Sequence, residues 1–196
     1  MEIEVKFYLR RLEDVRERLI SLDGHLKQAR LLELNLRFDT PDRTLAGKKH
    51  VLRLRQDNRS TMTFKRHLGQ VEIREEFEIE IDDFETGRKM LNALGYTVTT
   101  VYEKYRETYQ LGTDLVMLDE LPFGFFVEIE GPSIESIRQM SERLELPWDR
   151  RVQASYLELI DRIHRPLNIE VEEITFEKFE GLTPVDLNLL GVLQVD

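Results

Sequence analysis

The chain has 196 residues, 41% hydrophobic and 34% charged, with a formal net charge of −10 and no cysteine. This length builds one domain with a proper core, and the lack of Cys excludes disulfides and thiolate metal sites, leaving carboxylates or His for any metal. An acidic balance argues against a general nucleic-acid binder, the opening MEIEVKFYLR reads as no secretion signal, and no stretch approaches the ~20 apolar residues of a membrane span, so a soluble cytoplasmic protein is expected.

In chain order, alternation of charged and apolar residues with period two predicts strands. Residues 2–8 set Glu2, Glu4 and Lys6 against Ile3, Val5 and Phe7. Leu12, Val15, Leu19, Leu22 and Leu26 recur at three- and four-residue spacing, which predicts a helix over 12–29 with Glu13 and Asp14 favourably near its start. A strand follows at 34–38. Residues 51–55 place Arg53 and Arg55 opposite Leu52 and Leu54, and 61–65 place Thr61, Thr63 and Lys65 opposite Met62 and Phe64. Residues 74–82 place Arg74, Glu76, Glu78 and Glu80 opposite Phe77, Ile79 and Ile81.

A short helix over 84–94 stops at Gly95. Residues 102–109 set Lys104 and Arg106 against Tyr105 and Tyr109. The strand at 115–119 ends on Asp119, and 126–130 sets Glu128 and Glu130 against Val127 and Ile129. Ser133 is placed to cap a helix that Pro147 ends. Residues 152–163 carry Val152, Tyr156, Leu159 and Ile163 on one helical side, which favours core packing for Tyr156 over a place at the mouth of a tunnel. The four His residues show no ligand spacing. After Pro166 the chain changes character, with an acidic strand over 168–176 and a helix start at Thr183-Pro184. The expected division is a domain over 1–165 and an appendage of unread role over 166–196.

Eight strands are enough to close a barrel. An ordinary wet sheet face mixes its charges, whereas here acids dominate 2–4, 76–80 and 128–130 while bases dominate 53–55 and 104–106. Helices outside such a barrel would cover the apolar faces and leave the charged faces to line the interior. Buried charge is tolerable only where acids meet bases, metal or ligand. Eight acids (Glu2, Glu4, Glu76, Glu78, Glu80, Asp119, Glu128, Glu130) face seven bases (Lys6, Arg53, Arg55, Lys65, Arg74, Lys104, Arg106) in this reading. The expected fold class is α+β, an eight-stranded antiparallel β-tunnel with helices packed outside. Converging Arg and Lys suit an extended phosphate chain, and clustered carboxylates suit Mg²⁺ or Mn²⁺.

The ordered set EIEVK, FDT, LRLR, TFK, REEFEIE, EKYRETY, LDELPFGFFVEIEG and SYLELI resembles the CYTH, or triphosphate tunnel metalloenzyme, superfamily, most closely its class IV adenylyl cyclase-like branch. The resemblance covers residues 1 to about 163. It implies that Glu2, Glu4, Glu128 and Glu130 hold the principal metal and that Arg53, Arg55, Lys65, Lys104 and Arg106 grip the phosphates. It sets Lys6 against phosphate or the attacking group. Glu76, Glu78 and Asp119 become candidates for a second metal or for orienting the nucleophile, and Arg74 is a weaker phosphate contact. The implied ligand is ATP, tripolyphosphate or a related organic triphosphate, with a homodimer left open. Cyclisation of ATP and triphosphate hydrolysis both fit this lining. The alternative from another class is a non-catalytic nucleotide or polyphosphate sensor.

Overall fold

The computed structural model describes residues 2–67, 73–167, 172–182, 185 and 187–195, excluding the side chains of Glu2, His67, Ile73, Arg74 and Leu187. Thr183-Pro184 and the start of the acidic segment at 168–171 lie outside the described residues.

The strands run as β1 (Glu2–Leu9), β2 (His25–Asp39), β3 (Val51–Gln56), β4 (Ser60–His67), β5 (Ile73–Ile81), β6 (Thr97–Leu111), β7 (Asp114–Leu121) and β8 (Gly124–Glu130). Their pairing order is β6-β2-β3-β4-β5-β1-β8-β7, and β7 pairs back onto β6, so the path returns to its start. Every step in it is antiparallel. The shortest seam is β1–β5, where Glu2 stands opposite Arg74 and Ile3 opposite Ile73.

The helices lie where the apolar faces need cover. Helices α1 (Leu12–Ser21) and α4 (Ile134–Arg143) press Leu12, Val15, Leu19, Ile137 and Met140 onto Val5, Phe7, Val116, Leu118, Val127 and Ile129 of β1, β7 and β8. Between β2 and β3 sits the single turn α2 (Thr44–Gly47). Helix α3 (Phe84–Ala93) covers Leu36, Phe38, Leu52 and Leu54 of β2 and β3 with Phe84 and Leu91. The Asp83 and Ser133 side chains accept hydrogen bonds from the N–H of Thr86 and Ser136, capping α3 and α4. With each fully buried apolar side chain contributing ~1.5–3 kcal/mol, these layers fix which face points inward.

Three expectations change. The first helix ends at Ser21 rather than 29. Asp23 turns into the left-handed region (φ 59) and the chain resumes as β2 at His25, so the three- and four-residue spacing that ran on to Leu26 was coincidental. The helix expected from 152 starts at Tyr156 as α5 (Tyr156–Leu167), because Val152 belongs to β9 (Arg151–Val152), a short strand on β1. The Ser133 helix ends at Arg143, before Pro147, with Glu145 at φ 57.

The C-terminal stretch returns to the barrel. Strand β10 (Glu173–Ile174) pairs in parallel with β6, α6 (Leu187–Leu190) meets α5, and β11 (Gln194–Val195) pairs in parallel with β1. Together with α5 it closes an aromatic cluster of Tyr8, Phe123, Phe126, Phe179, Leu159, Ile160 and Ile163. Tyr8 and Phe126 lie on the same strand faces as Lys6 and Glu128, so the inward face turns apolar at this end of the barrel. Gly124 (φ 151) is required there, since a Cβ would meet the Tyr8 ring at 2.5 Å. Among the described residues, no helix is long and apolar enough to cross a membrane.

Candidate active site

Antiparallel register sets three acids of the lining opposite bases and one acid opposite another. Lys6 faces Glu128 and Glu4 faces Glu130 across β1–β8; Lys65 faces Glu76 across β4–β5; Arg106 faces Asp119 across β6–β7. The inward side chains enclose a cavity of about 730 Å³. Of the residues the sequence singled out, Glu4, Lys6, Arg53, Arg55, Lys65, Glu76, Glu78, Lys104, Arg106, Glu128 and Glu130 all line it. Glu80 is turned to solvent and meets Arg59 at 3.6 Å. The Glu2 and Arg74 side chains lie outside the described residues.

On one wall, Asp119 is wholly buried. It accepts hydrogen bonds from Lys104 Nζ (3.0 Å), Arg106 Nε and Nη2 (both 2.6 Å) and the Tyr156 hydroxyl (3.0 Å). Arg106 also reaches Glu128, and Lys6 lies 3.6 Å from Glu128 and 3.8 Å from Glu4. Burial alone would raise Glu128, but Arg106, Lys6 and Lys104 hold its carboxyl well below the usual range. Burial, with Asp119 and Glu128 nearby, keeps the Tyr156 phenol protonated far above its ordinary value.

On the opposite wall, Glu78 accepts from Thr63 Oγ1 (2.7 Å) and lies 3.5–3.6 Å from Arg55 and Arg53. Lys65 meets Glu76 at 3.1 Å. Glu33, on β2, bridges the two walls at 3.7 Å from Lys104 and 3.8 Å from Arg55. Burial opposes its charge, yet Lys104, Arg106, Arg55 and Arg53 together lower it to about 2.

Glu130 behaves differently. Burial raises its carboxyl, Lys65 opposes this, and Glu4 and Glu76 push it further up. Glu4 and Glu76 thus crowd Glu130 with like charge, although Lys6 lies 3.8 Å from Glu4 and Lys65 3.1 Å from Glu76, and a hard cation would relieve that crowding. Among the described residues no three Asp, Glu or His side chains are set to hold an ion alone. Oxygen donors of this kind fit Mg²⁺ or Mn²⁺, which commonly take one or two carboxylates and complete their shell with phosphate oxygens and water.

The sequence reading missed residues of β2 altogether. Glu33 and Asn35 are buried beside the lining, and Arg37 reaches the cavity. Their signal was present: Glu33, Asn35 and Arg37 alternate with Leu34, Leu36 and Phe38, but a single Asn in the middle hid the charge pattern. The contact of Tyr156 with Asp119 is the other omission. Helical spacing favoured the core for Tyr156, and its ring does pack on Phe126 (centroids 5.0 Å apart), while its hydroxyl reaches the buried acid.

A family model described as CYTH domain matches residues 1–159. The chain belongs to the CYTH family. Among solved structures, a Pyrococcus horikoshii OT3 protein is 27% identical with a TM-score of 0.71, covering 81% of this chain and 98% of its own. A Vibrio parahaemolyticus protein described as a candidate adenylate cyclase shares the fold at 21% identity, with a TM-score of 0.74 over 82% of this chain and 97% of its own. A Hippeastrum protein described as a candidate adenylyl cyclase with a dominant triphosphatase activity shares it at 21% identity, with a TM-score of 0.61 over 82% of this chain and 95% of its own. None of the curated proteins matches. These neighbours match the tunnel fold and α+β class expected of the CYTH family.

Proposed function

We propose that this CYTH protein is a divalent-metal-dependent enzyme that hydrolyses a triphosphate within the barrel. One observation carries the reading: eight cationic side chains (Lys6, Arg37, Lys49, Arg53, Arg55, Lys65, Lys104, Arg106) line one cavity with a local crowd of carboxylates at Glu4, Glu76 and Glu130. Phosphoryl transfer depends mainly on positioning and charge stabilisation, and this lining supplies both.

In this reading Arg53, Arg55, Lys65, Lys104 and Arg106 bind the phosphate chain, with Arg forks taking paired oxygens. Lys6 sits at the junction of the Glu4 and Glu128 carboxylates and offers its ammonium to the phosphate under attack. Glu4 and Glu130, with Glu2 and Glu128, are the residues that would hold the metal, and Asp119 supports them through Arg106. The bound cation would neutralise phosphate charge and make water more acidic. Glu76 and Glu78, held by Lys65 and Thr63, would orient water and accept its proton. Water attacks the terminal phosphorus, the bridging P–O bond breaks, and orthophosphate leaves with pyrophosphate (or a diphosphate) as the other product.

A second reading, cyclisation of ATP with release of pyrophosphate, draws support from the apolar part of the lining. Met117, Leu121, Phe123 and Leu157 offer a surface that inorganic tripolyphosphate does not need. The test is product analysis with tripolyphosphate and ATP in parallel. Orthophosphate from tripolyphosphate supports hydrolysis, cyclic AMP from ATP supports the second reading, and binding without any product supports a sensor. We also propose that residues 166–196 serve this site by bracing α5, whose Arg162 donates to the carbonyl of Leu190 (2.6 Å).

A further inference from the structure

We infer that Tyr156 is a positioning residue, setting Asp119 through its hydroxyl and the Lys6 and Lys104 ammonium groups through its ring; this rests on the proposed triphosphate site. The residue stands at the first turn of α5, where the aromatic end of the lumen meets the charged part. Its hydroxyl donates to Asp119 Oδ2 at 3.0 Å, the same oxygen that accepts from Lys104. Its ring centroid lies 5.4 Å from Lys6 Nζ and 5.7 Å from Lys104 Nζ, within cation–π reach of both. One side chain thus touches three groups on three different strands, β1, β6 and β7.

The ring is itself fixed. Phe126 packs on it edge-to-face with centroids 5.0 Å apart, and Phe123 does so at 6.4 Å. Lys104 is bonded to Asp119 and Lys6 lies beside Glu128, and a flexible or absent ring would remove the further contact that fixes the position of both ammonium groups at the cavity. The hydroxyl adds a separate effect. Without it Asp119 keeps its Lys104 and Arg106 donors but loses the one that α5 supplies, so one of the bonds that fix its carboxylate is gone.

The two effects separate in Tyr156→Phe and Tyr156→Ala, made in the full chain. Calorimetry of tripolyphosphate binding without added metal and steady-state hydrolysis with Mg²⁺ or Mn²⁺ are measured side by side. Tyr156→Phe is expected to bind tripolyphosphate as tightly as wild type while its kcat falls at least about tenfold, the size expected for a hydrogen bond to a charged group. Tyr156→Ala is expected to weaken binding at least about tenfold as well.

Wild-type kcat in Tyr156→Phe overturns the hydroxyl's role, and wild-type binding in Tyr156→Ala overturns the ring's. If Tyr156→Ala fails to fold, Tyr156→Phe and Tyr156→Leu, the latter keeping apolar bulk without a π face, decide the same two points. If wild type binds tripolyphosphate but turns over nothing, the proposed hydrolysis fails, and the binding comparison still decides the ring. Absence of binding in wild type overturns both.

Discussion

Arg106 and Asp119 stand directly opposite each other on β6 and β7, joined by two hydrogen bonds of 2.6 Å, Nε to Oδ1 and Nη2 to Oδ2. The pair is structural as well as functional, because Asp119 is wholly buried. Removing one member of a buried pair leaves the other without compensation, at a cost of about 3 kcal/mol or more. Arg106→Ala is therefore expected to lower the melting temperature and raise the KM for tripolyphosphate together. Denaturation and kinetics on the same preparation check this, and an unchanged KM would remove Arg106 from the phosphate contacts.

Glu130 should show the opposite balance. Glu4 and Glu76 crowd it with like charge, so Glu130→Ala relieves repulsion and is expected to leave stability unchanged or raised. Metal-dependent turnover is expected to fall at least about a hundredfold, the scale for losing a principal electrostatic group. Thermal melts and product assays read the two effects, and wild-type turnover would place the metal elsewhere.

Glu33 predicts an acid limit. Its folded value of about 2 lies below its ordinary 4.5, so the native state binds its proton more weakly than the unfolded chain. That stabilisation, on the order of 3 kcal/mol, is fully present above about pH 4.5 and is lost as pH falls toward 2. Glu33→Gln should destabilise the protein at pH 7 and flatten this part of the stability profile. Denaturant midpoints between pH 7 and 3 would contradict the account if wild type and variant ran parallel.

Gly124→Ala tests the aromatic end of the barrel. The added methyl would meet the Tyr8 ring at 2.5 Å, at a backbone φ of 151 that side chains rarely adopt. A loss of about 2 kcal/mol or more is expected, read as a lower denaturant midpoint. A stable variant with an unshifted midpoint would mean that Tyr8 has room to move.

Strand alternation made much of this legible. Charged residues segregated by sign on 2–8, 51–55, 74–82, 102–109 and 126–130 pointed to the inward face before any pairing was known, and the pairings bring Glu4, Lys6, Arg53, Arg55, Glu76, Glu78, Lys104, Arg106, Glu128 and Glu130 of them to one cavity, while Glu80 faces solvent. Register was not legible. Only the ladder shows that Arg106 meets Asp119 while Glu130 meets Glu4, so that one carboxylate is tied down and another crowded. The overrun of the first helix past Ser21 has a physical cause, since apolar spacing is blind to the left-handed turn at Asp23. The core packing of Tyr156 was legible, but its bond to Asp119 was not, because a residue can pack in an aromatic cluster and serve a polar site with opposite ends of one side chain.

The most direct measurement is the product assay: purified protein with tripolyphosphate and with ATP, each with Mg²⁺, with Mn²⁺ and with EDTA, beside Glu130→Ala. Metal-dependent orthophosphate release from tripolyphosphate, abolished by EDTA and by Glu130→Ala, is the predicted result. Cyclic AMP with pyrophosphate would move the reaction to the second reading while keeping the site. No metal-dependent product from either substrate would contradict the assignment of this cavity as catalytic.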